Sequence, residues 1–204
     1  MTEPARSTDG YAAEAATLAV RYESIRFEDV HGDILHLVPA EPKRAIDIGA
    51  GTGRDAAALA ARGHRVLAVE PTAELRAAGE RLHPGLGIVW RDDGLPDLAL
   101  VRATSERFDL AFLTAVWMHL DAAERTAAMQ ALADLVVPGG RVFMTLRHGP
   151  VPPGRRMFEV TAEETLALAA AYGFAPIHRG HRGDMLDRGT VTWSMLVFEK
   201  GEPA

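Results

Sequence analysis

The chain of 204 residues contains no cysteine and only two lysines, Lys43 and Lys200. The first absence excludes a disulfide framework, a thiolate metal centre and a thiol nucleophile. The second leaves arginine to carry almost all the positive charge. With 22 basic against 28 acidic side chains the net charge is −6, and no basic stripe offsets it, so broad nucleic-acid binding is not expected. Long hydrophobic runs are missing too. The longest apolar stretch, Leu110 to Met118, has the length of a strand and not of a membrane span. No signal peptide is recognisable, and a cytoplasmic setting is expected. What is present is ordinary globular material, 48% hydrophobic, in a length that suits one domain with a full core. No internal repeat is visible.

The most telling segment runs from Ala45 to Gly53, an apolar stretch with one embedded carboxylate, Asp47, that ends in Gly49, Gly51 and Gly53. Lys43 to Ile48 reads as a short buried strand and Arg54 to Arg62 as the helix after it. Glycines at that junction let the chain turn sharply and let a ligand lie against bare amides at the helix N-terminus. The spacing G-x-G-x-G differs from the G-x-G-x-x-G of a dinucleotide site. Val66 to Pro71 is a second buried strand ending in an acid, Glu70, after one helix length and a stop at Gly63. In a strand–helix–strand unit this sets a carboxylate at the carboxyl end of the neighbouring parallel strand, where it can accept both hydrogen bonds of a ribose diol.

Two further marks follow in order. Leu86 to Trp90 reads as a third strand leading into a turn with adjacent acids, Asp92 and Asp93. Phe108 to Val116 reads as a fourth strand, with Trp117 to His119 at its carboxyl end. Asp121 and Glu124 form a capping box for a helix reaching Val137, which Pro138-Gly139-Gly140 stops before a fifth strand over Arg141 to Arg147. Together the marks over residues 43–147 resemble the class I S-adenosylmethionine-dependent methyltransferases. The glycine segment corresponds to their motif I, and Leu135 to Phe143 to their post-helix motif. The resemblance implies an α/β, Rossmann-like fold: a seven-stranded, mostly parallel sheet with helices on both faces and a reversed last strand. It implies S-adenosyl-L-methionine as cofactor. Asp47, Gly49, Ala50, Gly51, Thr52 and Gly53 would surround the methionine part, Glu70 and Pro71 the ribose, and Asp92 or Asp93 the adenine amino group. Ala115 would join them from the end of the fourth strand.

The organisation expected is one domain: an N-terminal helical lid over residues 1–40, a cofactor-binding core over 41–148, and a helix with two strands over 149–204. Tyr11 to Tyr22 and Asp29 to Val38 read as two helices, so Tyr11, Arg21 and Tyr22 are candidate lid contacts. Gly149 to Arg156 reads as a loop at the active edge, Thr161 and Glu164 cap a further helix ending at Gly173, and residues 174–182 and 190–199 read as the last strands. His119 and His148 lie just beyond the fourth and fifth strands, where ligands of open α/β sheets bind, and are the candidate catalytic residues. Trp117 and Arg147 are candidate acceptor contacts, Arg147 either holding an acidic acceptor or pairing with Asp109 or Glu159. His31, His36, His64 and His83 are expected on surface helices or loops. His178 and His181 stand near Asp184 without a further ligand, so no metal is expected. The function implied is methyl transfer to a small molecule, since only short additions flank the core. The rivals are a protein or RNA acceptor, a non-catalytic S-adenosylmethionine binder, and a nicotinamide-dependent oxidoreductase.

Overall fold

In the computed structural model, which describes residues 8, 10–186 and 188–202, successive apolar residues face opposite sides of one sheet. Ile46, Ile48, Leu67 and Val69 enter one core layer, while Ala45, Val66 and Ala68 enter the other. Strands covered on both faces must be apolar throughout, which is why β1 (Arg44–Ile48) and β2 (Arg65–Val69) read as unbroken runs. Strands β3 (Val89–Arg91), β4 (Phe108–Leu113), β5 (Val136–His148), β6 (Phe174–Gly183) and β7 (Thr192–Lys200) complete a seven-stranded sheet of order β3-β2-β1-β4-β5-β7-β6. Strands β1 to β5 pair in parallel, and β7 runs antiparallel to both β5 and β6.

One face carries α2 (Phe27–His31) and α3 (Arg54–Ala61), which bury Phe27, Ala56 and Leu59 against Phe112 and Phe143. Those two phenyl rings stack at 4.4 Å across β4 and β5. The other face carries α5 (Ala99–Arg102), α6 (Ala122–Leu135) and α7 (Ala162–Ala171), with Val101, Met129, Leu132 and Ala169 inside. Helix α6 starts at a true capping box: Asp121 accepts the amide of Glu124 at 2.9 Å, and Glu124 accepts that of Asp121 at 2.8 Å. Helices α1 (Tyr11–Glu23) and α4 (Ala73–Leu82) meet through Ala15, Leu18 and Leu75, apart from the main core. The chain leaves β1 for β2 and β3 on one side, then crosses back to β4 on the other. That reversal opens a crevice at the carboxyl ends of β1 and β4.

Several element bounds differ from expectation for local reasons. The second helix ends at His31 and tightens into a 3₁₀ turn over Gly32–Leu37, with His31 and Ile34 turned inward. Strand β4 stops at Leu113, short of Val116, because Ala115 adopts a φ of 61° that no strand residue takes. Helix α6 ends at Leu135, and Pro138-Gly139-Gly140 lies inside the longer β5, where the pairing with β4 shifts register between Phe108 and Leu110. Proline has no amide hydrogen to give the ladder, so an irregular segment accommodates it. Strand β3 is only three residues long, preceded by Gly85 and Gly87 in left-handed conformations. Among the described residues, no helix is long and apolar enough to cross a membrane.

Candidate active site

A cavity of about 310 Å³ occupies that crevice, floored by the segments after β1, β2 and β4 and covered by α1. At its β1–β2 end the glycine turn is bare for a reason. Gly51 has a φ of 58°, and a Cβ there would stand 3.3 Å from the Tyr22 ring of α1. Gly53 opens α3 at a φ of 84°, where a Cβ would come within 2.7 Å of Trp90. Glu70, only 5% exposed, accepts the amides of Gly51 and Thr72, each at 2.8 Å. Each carboxylate oxygen keeps a further lone pair, so the acid remains able to receive hydroxyl donors. Burial pushes the Glu70 carboxyl up, and the amide and hydroxyl of Thr72, with the amide of Gly51, oppose the rise.

Two more carboxylates share this end. Asp47 is buried, accepts the amide of Ala56 at 3.1 Å, and is pushed well above the usual carboxylate range by burial and then by the neighbouring Asp55. Burial also acts against Asp55, but His31 and Arg54 outweigh it and hold Asp55 well below its ordinary value. His31 lies 2.8 Å from one Asp55 oxygen, Thr114 donates to the same oxygen at 2.6 Å, and Arg54 donates to the other at 2.7 Å. His31, expected at the surface, is thus a buried bridge between α2, α3 and the end of β4. His64 is buried as well, accepting the amide of Lys43 at 3.1 Å. The sequence shows Asp55 beside the glycine turn but gives no sign that a histidine 24 positions earlier meets it.

Residues 45–140 match the family described as "Methyltransferase domain". A ubiquinone biosynthesis O-methyltransferase of Stutzerimonas stutzeri (strain A1501) is 30% identical over 159 residues, 76% of this chain. In its matched segment and its sheet order the chain is similar to the class I S-adenosylmethionine-dependent methyltransferases. The chain spans 58% of that relative's length. The sheet superposes on the N-methyltransferase NodS of Bradyrhizobium japonicum in complex with S-adenosyl-l-homocysteine, at TM-score 0.70 and 16% identity over 96% of this chain and all 100% of that one. It also superposes on a Burkholderia thailandensis 1,6-didemethyltoxoflavin-N1-methyltransferase, at TM-score 0.64 and 21% identity over 99% and 92% of the two chains.

This end of the cavity offers charge and shape that would suit S-adenosylmethionine. S-adenosylmethionine carries a sulfonium, an ammonium and a carboxylate, and Asp47 and Glu70 would face its cations beside the glycine turn. Ala50, Thr52, Pro71 and Ala115 also line the cavity, and the amide of Ala115 donates to Thr145 at 2.8 Å. Asp92 and Asp93 do not line it; Gly94 and Leu95 do. Asp92 points out and pairs with Arg76 at 3.0 Å. Asp93 accepts the amides of Gly94 and Val101, both at 2.9 Å, because the short β3 turns its carboxylate toward the start of α5.

At the opposite end His119 and Arg147 line the cavity together, and Trp117 and His148 do not. Trp117 is fully buried in the core, since the three-residue 3₁₀ turn over Trp117–His119 sends its first and last side chains different ways. Alternation along β5 puts His148 on the face away from Arg147, where it bonds Ser194 at 2.8 Å with its ring facing His181. His119 is gripped on both nitrogens. Its Nδ1 lies 2.8 Å from the carbonyl of Arg156, which can only accept, so Nδ1 carries the proton. Nε2 is therefore the acceptor for the hydroxyl of Tyr11 at 3.0 Å. Burial and then Arg155, Arg156 and Arg147 hold the imidazole below its ordinary pKa, against the pull of the Arg156 carbonyl. Arg156 returns the grip by donating to the His119 carbonyl and to Glu124, each at 2.8 Å. Arg147 pairs with neither Asp109 nor Glu159 and, among the described residues, donates only to the Gly149 carbonyl, at 3.3 Å. Tyr22 covers the glycine turn, and the guanidinium of Arg155 lies 4.1 Å over the Tyr11 ring.

Proposed function

We propose that the chain transfers a methyl group from S-adenosylmethionine to a small-molecule acceptor, with His119 as general base. The observation that carries this reading is one cavity joining an acid-rich, glycine-floored end to a neutral imidazole with a defined tautomer. The turn from Gly49 to Gly53, with Asp47, would hold the methionine part, Glu70 the ribose diol, and Pro71 and Leu95 the sides of the adenine. When bound, the cofactor supplies an electrophilic methyl group on a sulfonium. The chain's own task is to place the acceptor in line, exclude water and take up a proton. Helix α1 covers the cavity with Tyr11, Leu18 and Tyr22, which excludes water. As the acceptor atom bonds the methyl group it gives its proton to the Tyr11 hydroxyl, which passes its own to Nε2 of His119, 3.0 Å away. Relatives named for ubiquinone biosynthesis and for 1,6-didemethyltoxoflavin support a small acceptor, and the net charge of −6 weighs against a nucleic acid.

Calorimetry tests the donor half. S-adenosylmethionine and S-adenosylhomocysteine are expected to bind, and NAD is not. Glu70→Ala is expected to weaken binding by about 1.5–3 kcal/mol, the range for a hydrogen bond to a charged group. Unchanged affinity in a variant that melts like the parent would remove Glu70 from the site. Mass spectrometry of metabolite, peptide and RNA pools incubated with labelled cofactor tests the acceptor half, and a label found only in protein or RNA would overturn the small-molecule reading.

A further inference from the structure

Six arginines line the cavity: Arg21, Arg54, Arg147, Arg155, Arg182 and Arg188. Three of them have carboxylate partners, Arg54 with Asp55 at 2.7 Å, Arg155 with Glu14 at 2.7 Å and Arg188 with Asp184 at 2.6 Å. Arg21 is exposed at the rim. Arg147 and Arg182 remain, and among the described residues neither makes an ion pair. The Nε of each is buried without a hydrogen-bond partner, and Arg147 is only 9% exposed.

Strand register sets these two side by side. Arg147 of β5 is paired with Trp193 of β7, and Trp193 is paired with Arg182 of β6. Residues opposite one another on neighbouring strands share a face, so Arg147, Trp193 and Arg182 form one row into the cavity. The nearest acid does not neutralise them. Asp184 accepts from Arg188, from the indole nitrogen of Trp193 at 2.9 Å and from the amide of Leu186 at 3.0 Å. Burial lowers the pKa of both guanidiniums; Arg188 adds to this at Arg147 and Arg54 at Arg182, while Asp184 opposes it at both without an ion-pair contact. Two part-buried cations with no ion-pair partner and with Nε unsatisfied gain stability when an anion completes them.

We infer that Arg147 and Arg182 receive an oxyanion, a carboxylate or phosphate group, borne by the methyl acceptor. This rests on the methyl-transfer reading above. The cavity is then polar from end to end, with acids for the cationic cofactor and a guanidinium row for the anionic acceptor. Arg147 and His119 line the same cavity, so an acceptor anchored on Arg147 lies on the imidazole's side of it.

The test is a set of titrations on the full chain with benzoate and phenyl phosphate, against benzamide and phenol as uncharged counterparts. Each is run with and without saturating S-adenosylhomocysteine. At least one anion is expected to bind about tenfold or more tightly than its neutral counterpart, the worth of a charge-assisted contact. Arg147→Gln and Arg182→Gln should each remove that preference, Arg147→Lys should keep part of it, and S-adenosylhomocysteine affinity should stay within about threefold in all. Which anion wins separates carboxylate from phosphate. Equal binding of charged and uncharged probes, no binding of either anion, or a preference that survives both glutamine variants would overturn the inference. Failure of S-adenosylhomocysteine to bind would sink the methyl-transfer reading instead, and the cofactor-free titrations would still report on the arginine row.

Discussion

At the scale of single residues, the position of one proton decides what His119 can do. The Arg156 carbonyl fixes it on Nδ1, which leaves Nε2 as the acceptor, held by the Tyr11 hydroxyl at the cavity wall. His119→Ala is expected to cut single-turnover methyl transfer by about 10²–10⁴-fold, the usual worth of a general base. Cofactor affinity should hardly change, and a rate within about threefold of the parent would make His119 structural. The pH dependence has a definite sign. The imidazole must be neutral, and burial lowers its pKa, so kcat/KM should rise with pH through a value below about 6.5 and then stay level. A rise centred above that value would contradict the geometry. Residues at strand ends were legible because strand ends are legible. What the sequence does not carry is direction: one residue of strand alternation removes His148 from the cavity, and the phase of a 3₁₀ turn removes Trp117. The His31–Asp55 bridge and the row Arg147–Trp193–Arg182 arise only when distant segments meet.

At the scale of elements, α1 stands apart. It packs through Ala15 and Leu18 on Leu75, outside both layers of the main core, and is tied down at its edges by polar contacts. Thr52 of the glycine turn donates to Glu23 at 2.7 Å, and Arg155 pairs with Glu14 at 2.7 Å. An element with few apolar contacts opens before the global unfolding transition. Amides of α1 should therefore exchange hydrogen faster than those of β1 and β4, and S-adenosylhomocysteine should slow them. Leu18→Ala should speed α1 exchange and raise the KM for S-adenosylmethionine with a small change in melting temperature. A loss as large as that of Ile46→Ala, about 2–5 kcal/mol for a core truncation, would make α1 part of the cooperative core. The sequence located α1 and the five parallel strands because helical and buried-strand periodicities are local properties. It misjudged the second helix and the start of β5, where a buried histidine and a register shift override local preference.

Across the whole molecule, the donor end sets stability against binding. An acid whose pKa is raised in the folded state costs stability above its unfolded pKa of about 3.9 and costs less as pH falls. Asp47 is in that position through burial and through Asp55. Asp55 has the opposite sign: held low by His31 and Arg54, it supports the fold above about pH 3.9 and loses that support as acid protonates it. Asp47→Asn keeps an oxygen for the amide of Ala56 and removes the charge that the fold resists. The variant should melt higher without cofactor, by about 2–4 °C for each kcal/mol gained in a chain of this size. It should bind S-adenosylmethionine more weakly, since the cofactor's cationic groups lose a counter-charge, so the thermal shift on adding cofactor should shrink while the baseline rises. The gain without cofactor should fade toward pH 4, where Asp47 of the parent is itself protonated in the folded state. Paired melting curves with and without cofactor at pH 7 and pH 4 measure both effects. A variant that melts lower than the parent without cofactor, or binds it with full affinity, would mean that Asp47 serves the fold and not the ligand.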